Sequence, residues 1–115
     1  MLLRLILFVA ALIGAVTMAV LPDPPSLALE QVGDKYRHMA AFAVLSLLAA
    51  RAFPRASLWR IGERLSFLGA MIEVVQAIPA LHRDCDIFDW LADTAAIIVA
   101  LLLVAAIRAR RHAAT

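Results

Sequence analysis

Four long apolar segments follow one another along the chain, and short polar connections separate them. The segments run over about 3–21, 35–53, 58–79 and 87–107. A helix that crosses a bilayer needs about 20 mostly apolar residues, and the first and last segments meet this length outright. The middle two meet it when their polar ends are included. We therefore predict an all-α fold, a four-helix transmembrane bundle that forms a single membrane domain over 1–115.

The composition agrees with a membrane protein. The 115 residues are 64% hydrophobic, with a mean hydropathy of +0.89, whereas soluble domains are about half apolar. The net charge of +2 comes from arginines that flank the apolar segments, without the basic groove and interleaved aromatics of a nucleic-acid interface. We therefore expect no nucleic-acid partner. The one cysteine, Cys85, cannot form an internal disulfide.

The first apolar segment has two interpretations. Thr17-Met18-Ala19 offers small residues near a cleavage point, as a signal peptide would. A signal core is only about 7 to 15 residues long, however, so the longer run favours a retained transmembrane helix. Pro22, Pro24 and Pro25 then end this helix, because proline cannot donate the helical hydrogen bond.

Basic residues predict which way the bundle faces, because cytoplasmic connections carry the excess of lysine and arginine. The connection between the second and third helices and the C-terminal tail hold Arg51, Arg55, Arg60, Arg64, Arg108, Arg110 and Arg111. The other two connections hold only Lys35, Arg37 and Arg83. Both termini are therefore predicted to be cytoplasmic, in a multi-pass protein of the inner (cytoplasmic) membrane. Trp59 and Trp90 are expected in the aromatic belts at the two interfaces.

With this orientation, the start of the second helix faces outward and is polar. Asp34 and His38 lie one turn apart on one face, with Lys35 and Arg37 beside them. Asp34 is the expected N-cap, since aspartate accepts hydrogen bonds from the first free N–H groups of a helix.

The third and fourth helices bring further polar residues to the same depth. Glu73 and Gln76 are neighbours on one face of the third helix, which Gly69 and Ser66 extend inward. The fourth helix opens with three carboxylates at i, i+3 and i+7, namely Asp86, Asp89 and Asp93. An unpaired charge at membrane depth costs several kcal/mol, so mutual contact around a shared wet pocket is expected.

These residues form the predicted binding set: Asp34, Lys35, Arg37, His38, Glu73, Gln76, Arg83, Asp86, Asp89 and Asp93. Structural roles stay open for part of it, since Gln76 can serve as hydrogen-bonded glue between helices and Asp86 as an N-cap. The carboxylates also offer hard oxygen ligands for Mg²⁺ or Ca²⁺. We expect no metal and no cofactor, because no dense ligand motif is present and nearby cations compete for the carboxylates.

Three segments resemble elements of the VanZ-like membrane proteins, in the order that the family has them. Residues 34–38 (DKYRH) resemble its D-K-x-x-H element, 69–76 (GAMIEVVQ) its G-x-x-x-E-x-x-Q helix, and 83–93 its R-x-x-D-x-x-D-x-x-A-N/D segment. The family has Gly soon afterwards, where this chain has Ala95-Ala96. The resemblance implies an integral, multi-pass protein of the cell envelope, linked to resistance against glycopeptide antibiotics such as teicoplanin.

The leading functional hypothesis is binding or modification of a phospholipid or lipid-linked envelope-precursor head group at the outward-facing site. The phosphate would pair with the cations Lys35, Arg37 and Arg83. Hydrogen bonds that involve Glu73, His38 and Asp89 would orient the head group. The expected partners are therefore membrane lipids.

Two alternatives stay open. In an intramembrane hydrolase or transferase, His38 would act as general acid or base, with Glu73 or Asp89 as its partner or nucleophile. These three are the candidate catalytic residues, and whether the protein is an enzyme is left open. In a proton- or ion-coupled transport element, acid and histidine relays would mark the path. The inner halves of the second and fourth helices hold no ionisable residue, which disfavours transport.

Overall fold

The fold consists of four α-helices. The computed structural model describes residues 1–21, 28–78 and 86–114, except for the side chains at 28–32 and 34. Within this part there are no strands, and the helices are α1 (Leu2–Val20), α2 (Ala28–Ala52), α3 (Leu58–Gln76) and α4 (Ile87–Ala114). The all-α prediction is therefore confirmed.

Three predicted boundaries differ from the observed helices by three residues or more. The helix α3 ends at Gln76, three residues before the predicted end at 79. The helix α2 begins at Ala28, so Asp34 lies inside it, and the prediction that Asp34 is the N-cap was wrong. Ala28, Leu29, Glu30 and Gln31 are good helix formers, and Gly33 is tolerated as an isolated glycine. The helix α4 continues past 107 to Ala114 because the tail is mostly alanine and arginine, which also favour helix.

The starts of α3 and α4 are fixed by side-chain caps. The Ser57 hydroxyl accepts a hydrogen bond from the Trp59 backbone N–H at 3.2 Å. Asp86 Oδ1 accepts one from the Phe88 N–H at 2.9 Å, so the N-cap role expected for Asp86 is confirmed. Each cap satisfies an N–H group that has no partner inside its own helix.

Helices that follow one another along the chain run in opposite directions. Phe8, near the start of α1, stacks edge-on against Phe53, which follows the end of α2, with ring centroids 5.5 Å apart. The C-terminal part of α4 also lies near the end of α2, since Arg108 Nη2 donates to the Ala50 carbonyl at 2.9 Å. The starts of α1 and α3 therefore share one end of the bundle with the ends of α2 and α4.

This topology separates charge between the two ends. We call one end the arginine end, and it carries Arg4, Arg51, Arg55, Arg60, Arg64, Arg108, Arg110 and Arg111. Glu63 is the one acidic residue that the described chain has there. We call the other the carboxylate end, and its described acidic side chains are Glu73, Asp86, Asp89 and Asp93. Only Lys35 and Arg37 add described lysine or arginine side chains at the carboxylate end.

Apolar side chains cover the outside of the bundle as well as filling its core. The core contains Phe42, Leu45 and Ile97. The helices α1 and α4 are long and apolar enough to cross a membrane, yet only 6% and 22% of their most apolar windows are buried. A core helix of a soluble protein would be mostly buried, so these helices leave apolar surfaces that water would not favour.

A candidate polar site at the carboxylate end

The predicted site residues lie on α2, α3 and α4 at the carboxylate end. The structure brings together two pairs of them, Glu73 with Asp86 and Lys35 with Asp89. Each pair includes a residue from the start of α4. This helix start is therefore the place where polar side chains from the other two helices converge.

Glu73 connects the end of α3 to the start of α4. Its side chain is buried, with 7% exposure, and Oε2 accepts a hydrogen bond from the Asp86 backbone N–H at 3.0 Å. Asp86 is the N-cap of α4, so the carboxylate lies beside the positive end of that helix dipole. This geometry explains why an acidic side chain is stable in a buried position in the last turn of an apolar helix.

Lys35 and Asp89 form the accessible part of the site. Lys35 Nζ lies 3.8 Å from Asp89 Oδ1, and the side chains are 39% and 26% exposed. Exposed ion pairs of this kind contribute little to stability. A ligand can therefore compete for either partner at small cost to the fold.

The other members of the predicted set differ in depth. Asp93 lies one turn further along α4 than Asp89 and is buried, with 3% exposure. His38 is half-buried and lies one turn from Lys35 on α2. Arg37 and Asp86 are exposed. The site thus grades from exposed charges at the rim to a buried carboxylate inside.

Gln76 has a structural task. Its side chain is buried, with 3% exposure, and Nε2 donates to the Ala19 carbonyl at 2.8 Å. Carbonyls in the last turn of a helix have no partner within that helix, and Gln76 satisfies one at the end of α1. The structure therefore supports the interpretation of Gln76 as glue between helices.

A polar layer lies below the site, between α3 and α4. Ser66 Oγ and Thr94 Oγ1 are 2.9 Å apart, and Trp90 Nε1 donates to the Ser66 carbonyl at 2.9 Å. Trp90 is half-buried and packs against Gly69, and its place in an aromatic belt stays a prediction. Trp59 is 75% exposed, as an interfacial residue would be. Glycine at position 69 was the feature of the sequence that indicated a bulky side chain packed beside it.

Part of the predicted set falls outside the described residues. Arg83 lies there, together with the Asp34 side chain and Cys85. Among the His, Cys, Asp and Glu residues that the structure does describe, no group of three or more is arranged to hold a metal ion. The choice of binding residues stays a prediction.

The chain matches no protein family model, and no curated protein or solved structure is significantly similar to it. The fold and the site define a class of protein: an all-α bundle with two helices apolar enough to span a membrane and a polar cluster at one end. The resemblance to the VanZ-like proteins stays a prediction.

Proposed function

We propose that the chain is a four-span protein of the inner membrane, with cytoplasmic termini, that binds a phospholipid or lipid-linked precursor head group at the carboxylate end. The observation that carries this proposal is the Lys35–Asp89 pair, an accessible ion pair beside the buried carboxylates Glu73 and Asp93. We also propose, from the resemblance of its three segments, that it is a VanZ-like envelope protein.

The membrane placement is supported by helix lengths and by charge. At about 1.5 Å rise per residue, α2 and α3 are long enough, at 25 and 19 residues, to cross a hydrocarbon core of about 30 Å. Eight arginines at the arginine end fit a cytoplasmic face, because the excess of basic residues lies there in membrane proteins. The carboxylate end then faces the outer leaflet.

The charges of the site favour a head group that has both signs. Four described carboxylates, Glu73, Asp86, Asp89 and Asp93, outnumber the described Lys and Arg side chains at this end. A purely anionic lipid would meet more repulsion than attraction there. An amino-phosphate head group such as ethanolamine phosphate fits better, with its phosphate on Lys35 and Arg37 and its ammonium on a carboxylate.

Removing the cations of the site is expected to remove the bound lipid. For Lys35→Ala/Arg37→Ala, we predict at least a tenfold loss of retained phosphatidylethanolamine, because its phosphate loses two charge partners. Native mass spectrometry of the protein extracted with its own membrane lipids measures this retention. Added phosphatidylethanolamine and phosphatidylglycerol with identical acyl chains then rank the two head groups.

The matched control is Arg110→Ala/Arg111→Ala, which removes the same charge from the arginine end. This variant should retain phosphatidylethanolamine as the wild type does. Equal and unselective lipid adducts on all three proteins would contradict a head-group site at the carboxylate end.

A further inference from the structure

A cavity lies at the arginine end, between α1 and α2. Its volume is about 270 Å³, and its lining consists of Leu3, Arg4 and Leu7 from α1 with Leu48 and Arg51 from α2. Arg4 and Arg51 lie toward the end of the bundle, and Leu7 and Leu48 lie about one turn nearer its middle. The cavity therefore has two cations at its outer edge and apolar walls below them.

Arg4 lies at a helix start that has no acidic side chain of its own. Arg4 lies in the first turn of α1, where free N–H groups create partial positive charge. That turn has no acidic residue, and Met1 provides no side-chain cap. In the part of the chain that the structure describes, neither Arg4 nor Arg51 forms an ion pair with a carboxylate. Helix starts with nearby arginines are sites where phosphate groups bind.

Orientation in the membrane alone does not require this arrangement. Arginines in any exposed cytoplasmic segment fulfil the positive-inside rule, as Arg110 and Arg111 do. Arg51 needs no phosphate to be stable either, since it lies in the last turn of α2, where a cation is favoured. The distinctive feature is that Arg4 and Arg51, from two helices, line one cavity that continues into leucines.

We propose that this cavity binds the phosphate of an anionic phospholipid of the cytoplasmic leaflet. The phosphate is held between Arg4 and Arg51, and the first part of an acyl chain lies against Leu7 and Leu48. Guanidinium groups suit this role because they bind phosphate oxygens in pairs. The inference rests on the proposed membrane placement and does not depend on a ligand at the carboxylate end.

Native mass spectrometry of the full chain in detergent, with dioleoyl phosphatidylglycerol or dioleoyl phosphatidylcholine added, tests the proposal. The wild type is expected to bind the anionic lipid about tenfold more tightly than the zwitterionic one. Arg4→Gln/Arg51→Gln should lose this preference. Arg110→Gln/Arg111→Gln removes the same charge from the same end and should change binding less than twofold.

Two further experiments distinguish lipid binding in the cavity from general attraction by positive charge. Leu7→Trp keeps both arginines but fills the apolar wall, and it should weaken phosphatidylglycerol binding severalfold. Inorganic phosphate at millimolar concentration should not displace the lipid. Displacement would show a site for free phosphate, and an equal loss in both arginine double variants would show diffuse surface attraction; either result overturns the proposal.

The loss of retained phosphatidylethanolamine in Lys35→Ala/Arg37→Ala is measured in parallel and reports on the carboxylate end. If that loss is seen while Arg4→Gln/Arg51→Gln keeps the preference for phosphatidylglycerol, the site between α1 and α2 is refuted and the site at the carboxylate end stands. Circular dichroism of each variant confirms that helical content is unchanged.

Discussion

Replacing Gly69 by leucine is expected to lower the free energy of unfolding by about 3 kcal/mol. A Cβ atom at Gly69 would lie 3.3 Å from Trp90 Cδ1 and 3.4 Å from Phe42 Cζ. The remaining carbons of leucine therefore have no room unless both rings move, and overpacking of this kind costs about 1–3 kcal/mol or more. Equilibrium unfolding in mixed detergent micelles, followed by circular dichroism, measures the change.

Gly14→Leu is the matched control for that substitution. Gly14 lies in the middle of α1, and a Cβ atom there would meet nothing within 4 Å. We expect its free energy of unfolding to stay within about 0.5 kcal/mol of the wild type, as is usual at open positions. Equal destabilisation by the two leucines would contradict the packing of Gly69 against Trp90.

Glu73→Leu is expected to destabilise the protein by about 2 kcal/mol. The substitution leaves the Asp86 backbone N–H without its carboxylate acceptor and removes negative charge from the start of α4. Glu73→Gln keeps a carbonyl oxygen at the same place and should cost less than about 1 kcal/mol. The same unfolding measurement compares the two variants with the wild type.

The two Glu73 variants also distinguish a structural role of Glu73 from a role in ligand binding or catalysis. If the amide variant unfolds as easily as the leucine variant, the hydrogen bond to Asp86 is not what stabilises the junction of α3 and α4. If Glu73→Gln is stable and still retains phosphatidylethanolamine, the negative charge of Glu73 is not needed for binding. An enzyme that used Glu73 as nucleophile would lose its activity in that variant while keeping its fold.

The helices could be predicted from sequence because their apolar lengths and N-cap residues are local signals. Asp86 stands immediately before α4 and caps it as expected, and Ser57 stands immediately before α3 and caps it in the same way. The start of α2 was misplaced because Asp34 is a good cap residue, and propensity alone does not show which of two possible starts a helix takes. The residues before it are helix formers, and they extend the helix back to Ala28.

The sequence could predict which helix ends meet at the site, because helix direction alone determines this. Antiparallel helices bring the end of α3 beside the start of α4, and this is where Glu73 meets Asp86. Which face of α3 meets which neighbour depends on helix rotation, which comes from packing of the whole bundle. For this reason the bond from Gln76 to Ala19 and the bond from Trp90 to Ser66 were not foreseen.

We propose that the carboxylate end faces outward and that the arginine end faces the cytoplasm. Cys85 allows this orientation to be tested directly. This residue is the one cysteine of the chain, and it lies in the connection between α3 and α4. Labelling of intact spheroplasts with a membrane-impermeant maleimide should modify Cys85. In a Cys85→Ser/Arg110→Cys variant, labelling should occur only after the membrane is permeabilised. The opposite pattern, with Cys85 protected in intact spheroplasts and Arg110→Cys labelled, would contradict the account.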